Sequence, residues 1–195
     1  MPGASRKGCL KVREIALHLL DIVENSVTAG ASKVRIAIDE DLREDQLRIV
    51  VDDNGHGMDD TLLDHVTDPF VTSRTTRKVG LGIPLFKAAA EACNGYLHIE
   101  SAVCVGTKLK VNFQRSHIDR MPLGDLAGTL LTLLVGFPTV RWIFEYRKGD
   151  AEFLFDSGPI IEELGDVPIT EPSILAFVRR LLQEGVDRVQ TANQV

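Results

Sequence analysis

The chain has 195 residues, with 22 basic and 28 acidic side chains and a formal net charge of −6. Apolar residues make up 44% and charged residues 26%, an ordinary balance for a globular chain. The length suffices for one domain with a sizeable core, or one domain plus a small appendage. That composition excludes collagen-like and low-complexity chains, and the acidic balance argues against a surface built for nucleic acid or anionic membrane.

Cys9, Cys93 and Cys104 are too few and too scattered for a disulfide framework, no CxxC occurs, and the five histidines lack zinc spacing. Free thiols suit a reducing cytoplasm. The first residues do not read as a signal peptide. The longest apolar run, residues 126–135, carries a Gly and two Thr and is too short to cross a bilayer.

In chain order, residues 10–29 read as an amphipathic helix, with Ile15, Leu19, Ile22 and Ser26 at helical spacing and Gly30 as its stop. Residues 33–38 alternate Val34, Ile36 and Ile38 against Lys33, Arg35 and Ala37, which predicts a strand with one wet face. Residues 46–51 predict a second strand, joined by an acidic turn over 39–45. A loop follows at 52–57, a short helix at 59–66 and a loop at 67–80. Residues 81–93 form a helix that tolerates Pro84 in its first turn. Strands at 96–100 and 108–113 close around Val105-Gly106-Thr107. This order predicts a two-layer α/β sandwich, with helices on one face of a mixed or antiparallel sheet. A boundary falls at 114–122. Beyond it come a helix (124–135), a hairpin (139–146 and 151–155) and a last helix (172–189). Ser116, His117 and Asp119 read as linker rather than a nucleophile triad, which is built in space.

Four segments carry the chemistry. Asp21 and Asn25 are four apart and share a helix face, extended by His18 and Glu14. A carboxylate beside a carboxamide suits a water-activating base next to an oxygen ligand for a hard cation, although a solvated helix face carries such pairs too. Asp53-Asn54-Gly55-His56-Gly57 follows a strand directly, so backbone can pass close to a ligand and a carboxylate is offered at the strand end; the same string also makes an ordinary β-turn. Gly80-Leu81-Gly82 opens a helix whose free N–H groups favour phosphate. It lacks the third glycine and the leading strand of a dinucleotide site, and no P-loop motif is present. Gly106-Thr107 taken singly is a turn.

Taken together these segments resemble an ATPase superfamily. Residues 19–26 with Ala29-Gly30-Ala31 resemble the N box of the gyrase, heat-shock-chaperone, histidine-kinase and MutL (GHKL) group. Residues 51–58 are similar to its G1 box. Asp68-Pro69-Phe70-Val71-Thr72-Ser73-Arg74 with Gly80-Leu81-Gly82 is similar to the F and G2 boxes of histidine kinases, and residues 95–101 with Gly106-Thr107 resemble the closing segment. The resemblance covers about residues 10–113, in the expected order.

The resemblance implies a histidine-kinase-like ATPase (Bergerat) fold over residues 10–114, after a tail at 1–9 and before a small α/β appendage at 115–195. It implies an ATP and Mg²⁺ site. Asn25 would ligate Mg²⁺, and Asp53 would accept the adenine amino group. Gly55 and Gly57 would give room for the base, Thr107 would sit near the water on the adenine side, and Gly80, Leu81 and Gly82 would hold phosphate. Thr72, Ser73 and Arg74 open a lid over 72–79, with Arg74, Arg77 or Lys78 available to the γ-phosphate.

Two departures stand out. Asp21 occupies a position that is usually the Glu base in the MutL-like branch, and it is one methylene shorter. Only about nine residues precede the first helix, so a histidine kinase's phospho-acceptor hairpin is not expected. His18, inside the N-box helix, is read as a packing or supporting residue.

The function expected is that of a stand-alone, cytoplasmic, kinase-like ATPase acting on a partner protein. The alternative is a nucleotide-gated binding module with little turnover. A DNA machine ranks last on length and charge, so neither DNA nor membrane insertion is expected. A second copy of the chain is a candidate partner. The region 115–195 is expected to bind a partner or to cover a sheet edge.

Overall fold

Alternation on the strands decides the architecture. In the computed structural model, which describes residues 14–66 and 82–192, six strands form one sheet: β1 (Lys33–Asp41), β2 (Gln46–Asp53), β3 (Tyr96–Ala102), β4 (Gly106–Gln114), β5 (Arg141–Lys148) and β6 (Ala151–Asp156). Their order is β3-β4-β2-β1-β5-β6. β1 and β5 run parallel and the other pairs antiparallel. The helices are α1 (Ile15–Thr28), α2 (Asp60–His65), α3 (Gly82–Glu91), α4 (Leu126–Gly136), α5 (Ser157–Leu164) and α6 (Pro172–Thr191). Among the described residues, none is long and apolar enough to cross a membrane.

Because side chains on a strand alternate between faces, every second residue of each strand faces the helices. The register lines these residues up in rungs. One runs Ile99, Leu109, Val51, Ile36, Phe144, Phe155, and the next runs Leu97, Val111, Ile49, Ile38, Tyr146, Phe153. All are buried except Leu97 and Ile99 on the edge strand, which are half-buried. Each fully buried aliphatic or aromatic side chain contributes about 1.5–3 kcal/mol. The opposite face carries charge: Arg35 pairs with Glu145, and Arg48 and Arg147 both reach Asp39. This is the two-layer arrangement with helices on one face.

The C-terminal hairpin pairs through β5 with β1 and continues the sheet. The connection over 115–121 is tied down at one end: Ser116 Oγ donates to Asp45 at 2.6 Å and Arg115 Nε to Glu40 at 2.9 Å. Asp119 N–H donates to His117 Nδ1 at 3.2 Å, a local turn bond.

Some boundaries differ from expectation. β1 extends to Asp41 through the expected acidic turn, because Glu40 keeps the inward parity and finds buried partners. Gly106 begins β4, so the hairpin turn lies two residues earlier, at 103–105. α5 was not expected. It is eight residues long, with Pro159 in its first turn, and Asp156 caps it by accepting from Gly158 N–H at 2.9 Å. α1 ends as its composition predicts: Gly30 has φ +74°, Gly30 N–H bonds Val27 O, and Ala31 N–H bonds Ser26 O, a Schellman closure.

Candidate functional site

The rung at the C-terminal end of β2 breaks the apolar pattern. Its inward residues are Asp53, Thr107 and Ser101, on adjacent strands in register. Above them α1 presents Ser26, an inward position on the same stripe as Leu19, Ile22 and Val23. Asp53 is 9% exposed, and burying a carboxylate is costly unless donors replace water. Three do. Ser26 Oγ donates to Oδ2 at 2.6 Å, Gly55 N–H to Oδ1 at 2.9 Å and Thr107 N–H to Oδ1 at 3.3 Å. Two ionised oxygens accept about four bonds, so among the described residues Oδ2 keeps an acceptor site.

Ser101 Oγ accepts from Met58 N–H at 2.8 Å, donates to Gly106 O at 3.0 Å and lies 2.9 Å from Thr107 Oγ1. With Ser101's one hydrogen on Gly106 O, Thr107 donates to Ser101, and its own lone pairs remain as acceptors.

Asn25, Asp53, Gly57 and Thr107 line a single cavity of about 220 Å³. Ile22, Val51, Met58, Leu62, Ile83 and Leu109 add an apolar lining beside these polar groups. An apolar slot with one oriented carboxylate and a few polar groups suits a flat heterocycle that offers an N–H donor.

The loop after β2 is clipped on both sides. Asn54 Oδ1 accepts from the N–H groups of Ser32 and Lys33, and His56 N–H donates to Ala29 O at 2.9 Å. The two glycines meet the protein's own atoms. Gly57 has φ +66°, and a Cβ there would lie 2.0 Å from Ala102 O. A Cβ on Gly55 would lie 2.9 Å from Ala29. They let the loop pass between the end of α1 and the β3–β4 hairpin, and this crossing sets the floor on which Asp53 stands.

Asp21 is exposed, one helical turn before Asn25. A Cβ on Gly82, the first residue of α3, would lie 3.0 Å from Asp21 Cβ, so α3 starts directly against that carboxylate. Asp21, Gly55 and Gly82 do not line the cavity, whereas Ile83 does. Thr72, Ser73, Arg74, Gly80 and Leu81 lie outside the described residues.

The expected polar stripe needs correcting. His18 is buried and stacks on Phe86, with centroids 5.0 Å apart and planes 11° apart. It belongs to the packing between α1 and α3 and not to the solvated face of Asp21 and Asn25.

Sequence reasoning missed Ser26 and Ser101 as site residues. The signal was parity. Ser26 falls on the apolar stripe of its helix, and Ser101 continues the inward series Leu97, Ile99, so both hydroxyls had to find partners inside.

Residues 11–117 match the family described as histidine kinase-, DNA gyrase B-, and HSP90-like ATPase, and the chain belongs to that family, an ATP-binding class. Among its relatives, sporulation kinase D of Bacillus subtilis is 31% identical over 93 residues, 48% of this chain and 18% of the kinase. Sensor protein kinase FleS of Pseudomonas aeruginosa is 40% identical over 58 residues, 30% of this chain and 14% of FleS. The chain therefore spans a small part of the length of these curated relatives. A crystal structure of the N-terminal domain of a DNA repair protein aligns with TM-score 0.52 and 13% identity, over 74% of this chain and 52% of that one. That likeness concerns the fold alone.

Proposed function

We propose that the chain binds ATP with Mg²⁺ in the cavity beside Asp53, and that it is a kinase-like ATPase acting on a partner protein in the cytoplasm. The observation that carries this reading is the pinned carboxylate: Asp53 is buried and held by Ser26, Gly55 and Thr107, with an acceptor site left on Oδ2. That site takes the adenine amino group between apolar walls. Gly57 and Thr107 border the base, and Thr107's hydroxyl oxygen accepts on that side.

Asn25 supplies a hard oxygen for Mg²⁺. Gly82 opens the ten-residue helix α3, whose unpaired first N–H groups favour phosphate. ATP, when bound, supplies the phosphoryl group. Asp21, one turn from Asn25 and against Gly82, is the group placed to take a proton. A general base of this kind contributes roughly 10²- to 10⁴-fold.

A second reading, a nucleotide-gated binding module, draws on one feature: the base position holds the shorter Asp21. One experiment separates the two. The chain is incubated with γ-labelled ATP and cell extract, as wild type and as Asp21→Asn. The kinase-like reading expects label on another protein or as free phosphate, with turnover lost by roughly 10²- to 10⁴-fold in Asp21→Asn and ATP binding retained. Equal turnover in both moves the chemistry to another residue. ATP bound without any transfer of label favours the binding module.

A further inference from the structure

We propose that the groove between α5 and α6 docks a basic amphipathic helix carried by another protein. The groove shares no residue with the nucleotide cavity. α6 already buries one face, through Val178, Leu182, Val186 and Val189. Its first turns nevertheless present Ile174 and Phe177 on a different side, opposite Pro159, Ile160 and Leu164 of α5, around a space of about 490 Å³.

Phe177 is 52% exposed and Val167, in the loop between the two helices, is 48% exposed. Together the α5 and α6 side chains give an apolar groove with an exposed aromatic at its lip. A groove between two helices fits a third, whose anchors recur at i, i+3 and i+4.

Charge selects the occupant. Residues 149–178 hold seven carboxylates and neither lysine nor arginine. Two of the seven are spoken for: Asp156 pairs with Arg141, and Glu171 caps α6 by accepting from Ser173 and Ile174 N–H. Glu162, Glu163 and Asp166 are exposed on α5 and the loop that follows it, and among the described residues none of them is in an ion pair. Glu163 stands on the rim itself. An acidic partner would meet like charge there, whereas lysine or arginine beside apolar anchors would meet opposite charge.

The test is selection from a displayed library of helical peptides of about 18 residues, five turns, on the intact wild-type chain, followed by affinity measurement on single peptides. The proposal expects enriched peptides with net positive charge and two or three large apolar residues on one stripe. Phe177→Ser is expected to weaken them at least tenfold, and so is the pair Glu162→Lys and Glu163→Lys, which keeps every apolar side chain of the groove and covers the case in which Phe177→Ser fails to fold. Enrichment of neutral or acidic peptides, equal binding by either variant, or no enrichment would each overturn it. So would self-association of the wild type that disappears in Phe177→Ser, which would assign the groove to a second copy of the chain.

Discussion

Asp53 and Glu40 sit at opposite ends of two neighbouring antiparallel strands, both on inward positions and both more than nine-tenths buried. The chain treats them differently. Glu40 is closed: Tyr146 donates its hydroxyl to Oε1 at 2.6 Å, and Arg115 Nε donates to Oε2 at 2.9 Å. Its neighbour in register, Lys148, gives its ammonium to Gln190 O at 2.6 Å. Burial, reinforced by the Glu40 carboxylate, pushes the Tyr146 hydroxyl far above its ordinary range, so it stays a donor. This end is a clasp that joins the 115–121 connection and the last helix to the sheet. Asp53 is held by three donors, yet it faces a cavity. A buried carboxylate at a strand end therefore does not by itself define a binding site. What defines one is a carboxylate whose orientation is fixed while part of its acceptor capacity faces open space.

Three substitutions bear on that contrast, in descending order of effect. Asp53→Asn removes the charged acceptor and is expected to weaken ATP binding roughly tenfold to a hundredfold, about 1.5–3 kcal/mol, measured by calorimetry. Unchanged affinity would remove adenine from this end. Tyr146→Phe leaves a buried carboxylate oxygen short of a donor and should cost about 1–2 kcal/mol of folding stability in a denaturant titration, with ATP affinity unaltered. A loss of ATP affinity there would mean that the two ends are coupled. Ser26→Ala frees Asp53 Oδ2 to rotate and should weaken ATP about fivefold, near 1 kcal/mol. ITP, which lacks the amino donor, should bind the variant and the wild type alike. An equal loss for both nucleotides would make Ser26 merely structural.

Much of this was legible beforehand. The alternation of Val34, Ile36 and Ile38, and of Leu109, Val111 and Phe113, gives strands with a wet face, and Asp53 continues the same inward series from Val51. The Asn25 and Asp53 segments are local strings, and a string is what sequence preserves. Three things were not legible. The parallel pairing of β1 with β5 joins Lys33 to Arg141 in register across more than a hundred residues, and periodicity carries no register. His18 reads as a packing or supporting residue, but its stacking partner, Phe86, lies far along the chain. Ser26 shows as a small polar residue on an apolar stripe, while its partner lies 27 residues on. In each case a distant contact decided what local spacing left open.

The central claim is that the open carboxylate end is the nucleotide site. The most direct measurement is the melting temperature of wild type, Asp53→Asn and Tyr146→Phe with and without ATP and Mg²⁺. At a ligand concentration about 100 times Kd, binding to the folded state adds about 2.7 kcal/mol. A clear rise in wild type and in Tyr146→Phe, shrunken or lost in Asp53→Asn, is the expected result. No rise in wild type, or an equal rise in all three, would contradict the account.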